Sequence, residues 1–116
     1  MADVTIYHNP RCSKSRQTLE LLQENTISPE IILYLETPPS KSEIKSLLNK
    51  LGITARELLR SSEDAYKEGN LADTSLTEGQ LIDAMLANPK LIERPIVVAG
   101  ENAVIGRPPE NVLALV

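Results

Sequence analysis

Residues 11–28 contain neither glycine nor proline, and they lie between two short apolar runs. The first run, Val4-Thr5-Ile6-Tyr7, is β-branched and aromatic, which is the composition of a strand. The second, Glu30-Ile31-Ile32-Leu33-Tyr34-Leu35 behind Pro29, is nearly unbroken and of strand length, and it reads as a central strand buried on both faces. Between them Leu19 and Leu22, with Ile27 beyond, mark an amphipathic helix ending near Asn25. Strand, helix and strand make a βαβ unit, whose connection suits a parallel pair with a right-handed crossover.

The rest of the chain is punctuated by local signals. After the stiff break at Pro38-Pro39, Ser40 with Glu43 forms a capping-box pattern. Ile44, Leu47, Leu48 and Leu51 follow at helical spacing, and Gly52 stands where that helix would end. Thr54 with Glu57 opens a short helix running to Arg60, and residues 61–76 read as loop with a helical turn. Thr77 with Gln80 opens another helix, with Leu81, Ile82, Met85 and Leu86 on one face and Asn88-Pro89 closing it. Ile96-Val97-Val98-Ala99, Gly100-Glu101-Asn102 and Ala103-Val104-Ile105 have the order of a hairpin. Pro108 and Pro109 then start a final helix with Val112, Leu113 and Val116 as its apolar face. A parallel pair and an antiparallel hairpin flanked by helices predict an α/β, thioredoxin-like fold. It has a mixed four-stranded sheet, with a helical insertion at about residues 40–90 between its two halves. At 116 residues the chain is long enough for one core, so a single domain over residues 1–116 is expected. With no Trp, no Phe and three Tyr, that core must be built of Leu, Ile and Val.

The stretch Tyr7-His8-Asn9-Pro10-Arg11-Cys12-Ser13-Lys14-Ser15-Arg16 holds the one cysteine and the one histidine of the chain. Cys12 falls where the first strand turns into the first helix. Unpaired backbone N–H groups point there, and the helix dipole adds partial positive charge. A thiol so placed ionises more easily, and Arg11, Lys14 and Arg16 add positive potential. The same N–H groups and cations, with Ser15 and Arg16 in the first turn, are suited to hold an oxyanion. A lone cysteine of a small domain is equally well a buried, inert hydrophobe, and His8 equally well a structural histidine. Arg60, Arg94 and Arg107 are further candidates for anion binding, two of them directly before proline at the ends of the hairpin strands.

Other chemistries lack their residues. A net charge of −4 argues against a nucleic-acid surface, no apolar run approaches a membrane span, and Met1-Ala2-Asp3 does not begin a signal peptide. One Cys and one His do not make a metal site, so no bound cofactor is expected. Thiol-dependent phosphatases need an arginine at position 18, which here is Thr18, and no GxGxxG or GxxxxGK[ST] run occurs. A single cysteine excludes an internal disulfide and suits a reducing cytoplasm. Ser15 stands where dithiol oxidoreductases carry their second cysteine, so any adduct at Cys12 must be resolved by an outside thiol such as glutathione or a partner redoxin.

Several stretches together resemble the glutaredoxin-coupled arsenate reductases. They are Ile6-Tyr7-His8-Asn9-Pro10-x-Cys12, Ser15-Arg16-x-Thr18-Leu19, Tyr34-Leu35-Glu36-Thr37-Pro38-Pro39, Leu58-Leu59-Arg60, Leu81-Ile82-Asp83, Arg94-Pro95-Ile96-Val97-Val98 and Arg107-Pro108. They occur in the family's order and cover nearly the whole chain, which is closest in length to a shorter branch without a C-terminal tail. The resemblance implies a thioredoxin-like fold and reduction of arsenate to arsenite, with glutathione as co-substrate and glutaredoxin as partner. It implies that Cys12 is the nucleophile, that His8 favours its thiolate, that Arg60, Arg94 and Arg107 hold the oxyanion, and that Pro95 is a cis proline facing the thiol. Two other readings of the same fold are an Spx-type regulator binding RNA polymerase, which normally needs a second cysteine at position 15, and a glutathione-linked oxidoreductase acting on another substrate. Sparse aromatics leave no dimer stripe, and a monomer is expected.

Overall fold

The computed structural model of the protein describes residues 4–115. Met1-Ala2-Asp3 and Val116, the latter assigned above to the last apolar face, lie outside the described residues. The chain forms two compact units: one holds the residues up to Thr37 and those from Arg94 onward, and the other is Pro38–Glu93.

The first unit is a thioredoxin-like α/β layer. Its strands are β1 (Val4–Tyr7), β2 (Glu30–Ile32), β3 (Ile96–Ala99) and β4 (Asn102–Ile105), in the sheet order β2-β1-β3-β4. β1 runs parallel to β2 and antiparallel to β3, with Ile6 opposite Ile31 on one side and Val97 on the other. β3 and β4 pair antiparallel through the Gly100-Glu101 turn, with Ala99 opposite Asn102. Helix α1 (Ser13–Glu24) packs on a 3₁₀ segment, Pro109–Leu115. Ile6, Leu22, Val97 and Val112 form the buried cluster, edged by Val4, Leu19, Leu21, Ile27, Val104 and Leu115.

Two expectations are corrected here. The run after Pro29 is not a central strand: β2 is three residues long at the sheet edge, and Ile31 is 46% exposed. The ladder stops at Ile32 because the chain turns at once, with Glu36 and Thr37 N–H both donating to the Leu33 carbonyl. Tyr34 is buried from within that turn rather than from a strand. The final segment is a 3₁₀ helix, in which Asn111 N–H donates to the Pro108 carbonyl three residues back.

The second unit is helical: α2 (Lys41–Leu51), α3 (Ala55–Leu58), α4 (Asp64–Glu68), α5 (Glu78–Ala87) and a 3₁₀ turn, Pro89–Leu91. The Ser40/Glu43, Thr54/Glu57 and Thr77/Gln80 capping boxes all close in both directions. α3 ends at Leu58, two residues before the predicted end, because Leu59 becomes extended and bridges Ile92. α2 and α3 pack on α5, whose Leu81, Ile82 and Met85 are buried.

Helices α1 and α2 stop in the same way with different residues. At the end of α2, Gly52 adopts φ 69°, while Gly52 N–H reaches the Asn49 carbonyl and Ile53 N–H the Leu48 carbonyl. At the end of α1, Thr26 adopts φ 60°, with Thr26 N–H on the Gln23 carbonyl and Ile27 N–H on the Leu22 carbonyl. Both are Schellman closures with an apolar residue after the left-handed position. A β-branched threonine pays for that conformation where glycine does not. Thr26→Gly is therefore expected to stabilise the fold by about 1 kcal/mol, seen as a higher urea midpoint with an unchanged slope; a lower midpoint would contradict the strain.

Candidate functional site

β1 does not end abruptly. His8 N–H still donates to the Ile32 carbonyl at 2.9 Å, after which residues 9–12 turn tightly into α1. Asn9 shapes the turn twice: its carbonyl accepts from Cys12 N–H and its Oδ1 from Arg11 N–H, each at 3.0 Å. Arg16 closes the turn from outside, donating from Nη1 to the Pro10 carbonyl at 2.9 Å.

Cys12 is the cap residue of α1, with extended backbone at φ −94° and ψ 123°. Its side chain closes no capping hydrogen bond of the kind Ser or Thr would make. The backbone N–H groups of Ser15 and Lys14 are left to act on the sulfur. From the far half of the chain, Arg107 donates from Nη2 to Cys12 Sγ at 3.3 Å and from Nε to the Arg94 carbonyl at 2.8 Å. Burial by itself pushes the Cys12 thiol up. The N–H groups of Ser15 and Lys14, the Arg94 side chain and the Arg107 charge outweigh it, and the thiol lies below its ordinary value. Both peptide bonds that follow these arginines, Arg94-Pro95 and Arg107-Pro108, are cis.

His8 and Ser15 are buried together behind the turn. The Ser15 hydroxyl accepts from Asn9 N–H at 3.0 Å and lies 2.6 Å from His8 Nδ1. Burial, and then the charge of Arg16, hold the His8 pKa below its ordinary 6.5. The ring is accordingly neutral at pH 7, and its Nδ1 shares a hydrogen bond with the Ser15 hydroxyl. His8 thus meets the thiol's neighbourhood as a neutral hydrogen-bonding group, not as a cation.

The structure therefore brings Cys12, the Ser15 N–H, Arg94 and Arg107 to one sulfur. Arg16 is turned to the Pro10 carbonyl, and the Ser15 hydroxyl to His8 and Asn9. Arg60 belongs to the second unit, where its Nε is 3.7 Å from Glu63 and its Nη1 3.9 Å from Glu93. The Lys14 N–H was not singled out from sequence, although the position of Cys12 at the helix start implies it. The paired carboxylates at Arg60 carried no such signal, since Glu93 is brought to it by the Leu59–Ile92 bridge.

The sequence matches the model of the ArsC family over residues 7–115. The chain belongs to the ArsC family. Among its relatives, the Escherichia coli K12 protein YfgD is 63% identical over 114 residues, covering 97% of this chain and 96% of that one. An arsenate reductase of Neisseria meningitidis serogroup A is 47% identical over 116 residues, covering 99% of both chains. The solved arsenate reductase of Vibrio cholerae superposes with a TM-score of 0.97 at 52% identity, covering 99% of this chain and 98% of that one. The matched span includes both arginine–proline pairs and the Cys12 turn. Among the described residues, no helix is long and apolar enough to cross a membrane.

Two measurements follow from the electrostatics. Alkylation of Cys12 across pH is expected to inflect below the roughly 8.5 of a free thiol, whereas an inflection at or above that value would mean that burial wins. For His8, the native ring binds a proton less readily than the unfolded chain does, so stability falls as pH drops through 6.5 toward the lower native value. Urea unfolding of the parent is expected to show that decline, and His8→Gln to flatten it; an equal slope in both would exclude His8 as its source.

Proposed function

We propose that this protein is an arsenate reductase in which Cys12 is the nucleophile and the second thiol comes from outside. The observation that carries this reading is the convergence on Cys12 Sγ of the Arg107 guanidinium, 3.3 Å away, with the Arg94 side chain and two helix-start N–H groups. The arsenate reductases of N. meningitidis and V. cholerae, 47% and 52% identical, support it.

Such a cluster serves two steps. It favours the thiolate over the thiol, and it offers forked and backbone donors to a tetrahedral dianion drawn up against the sulfur. The Cys12 thiolate attacks arsenic(V), an S–As bond forms, and one arsenate oxygen leaves as water after taking up protons. His8 holds the loop in register through Ser15, keeping the first-turn N–H groups aimed at the developing adduct. Reduction to arsenic(III) then takes two electrons from two thiols, and this chain owns one. Glutathione supplies the other: the S–As bond breaks, its electron pair stays on arsenic, and the disulfide that forms includes an external sulfur. Glutaredoxin returns that disulfide to thiols.

The test is arsenate-dependent NADPH oxidation with glutathione, glutaredoxin and glutathione reductase present. Turnover by the parent that falls to background in Cys12→Ser is the expected result. A folded parent with an alkylatable Cys12 and no turnover would overturn the proposal, and turnover without glutaredoxin would remove that partner from it.

A further inference from the structure

We infer that Thr18 and Gly106 together form the seat that fixes the Arg107 guanidinium against the Cys12 sulfur, and that both are positioning residues. The consequence for turnover rests on the function proposed above; the geometry does not.

Gly106 lies between β4 and the terminal 3₁₀ segment, immediately before Arg107, and it is buried. A Cβ at that position would stand 2.5 Å from Thr18 Oγ1, 3.0 Å from Thr18 Cγ2 and 2.9 Å from Pro95 Cγ. No side chain fits there without a shift of the helix, of the Pro95 loop or of the Gly106 backbone. The peptide before the glycine is also held, its N–H donating to the Pro95 carbonyl at 2.9 Å, and the carbonyl after it packs 3.4 Å from the Thr18 oxygen.

Thr18 is fully buried, although it is polar and sits in mid-helix. Its hydroxyl donates to the Lys14 carbonyl at 2.8 Å, which keeps the polar atom satisfied while its other side faces the glycine. Its place is thus set by α1, the helix that also carries Cys12 at its start. The sulfur and the seat are built on one rigid element, and Arg107 is held to that element at two points, by the Gly106 backbone against Thr18 and by Nη2 on Sγ. Arg107 N–H on the Ile105 carbonyl and Nε on the Arg94 carbonyl remove the remaining freedom of the side chain's base. A displacement at Gly106 is levered along the arginine to the donor that stands 3.3 Å from the sulfur, weakening its hold on the thiolate.

The experiment is the pH profile of Cys12 alkylation in the parent, Gly106→Ala, Thr18→Val, Thr18→Ser, Arg107→Ala and the Thr18→Val/Arg107→Ala double variant, with thermal melts to verify folding. Gly106→Ala and Thr18→Val are expected to move the inflection upward by about half a pH unit. Thr18→Ser should stay near the parent, and Thr18→Val should add nothing once Arg107 is gone. A parent-like inflection in either folded variant would overturn the inference. So would a Thr18→Val shift that persists undiminished in the Arg107→Ala background, because the hydroxyl would then act through the first turn of α1. Should Gly106→Ala fail to fold, the Thr18 series decides alone. The profile needs no arsenate, so a parent without turnover would sink the proposed function and leave this result standing.

Discussion

The antiparallel pairing of β1 with β3 is the constraint on which the site depends. Cys12 and Arg107 are 95 positions apart, and they meet because β1 delivers the chain to the start of α1 while β3 and β4 return it beside the same helix. Tyr7 opposite Ile96 sets the register. A slip of one residue would turn Ile6 and Val97 out of the core and carry both arginine–proline pairs away from the sulfur. Sheet register and thiol chemistry are therefore one specification, enforced by burial of apolar side chains such as Ile6, Ile96 and Val97 rather than by any contact at the thiol itself.

At the thiol, two opposing effects are of similar reach. Withdrawal from water disfavours the thiolate, and it also strengthens each donor aimed at the sulfur. The balance falls toward the anion because the donors are fixed in advance by helix geometry and by carbonyl anchors, so no ordering is left to be done when the charge forms. The neutral His8 fits this arrangement: a cation buried behind the turn would lose its hydration and be repelled by the Arg16 charge.

Much of this was legible where the information is local. The three capping boxes, the Gly52 stop and the hairpin turn are each written within a few residues, and each formed as read. The placement of Cys12 at the start of a helix needed only the apolar run before it and the spacing after it. The apolar run at residues 30–35 misled because hydrophobicity reports burial, not the number of strand neighbours; Tyr34 is buried by a turn and Ile31 is left half in water at an edge. The end of α1 near Asn25 was read, but the left-handed closure at Thr26 was not, because that position usually carries glycine or asparagine. The Thr18–Gly106 contact could not be read at all, since neither residue carries charge or reactivity and they lie 88 positions apart.

Because Pro38–Glu93 is a unit in its own right, its length is nearly decoupled from the cost of bringing β1 to β3. Closing a chain loop becomes dearer only with the logarithm of its length, by about 0.6 kcal/mol per doubling. Residues can therefore be gained or lost in the helical segment at small entropic expense, provided that Thr37 and Arg94 still flank it. The chemistry-bearing half can stay constant while the other half drifts, which is a route by which one thiol scaffold acquires relatives of different size.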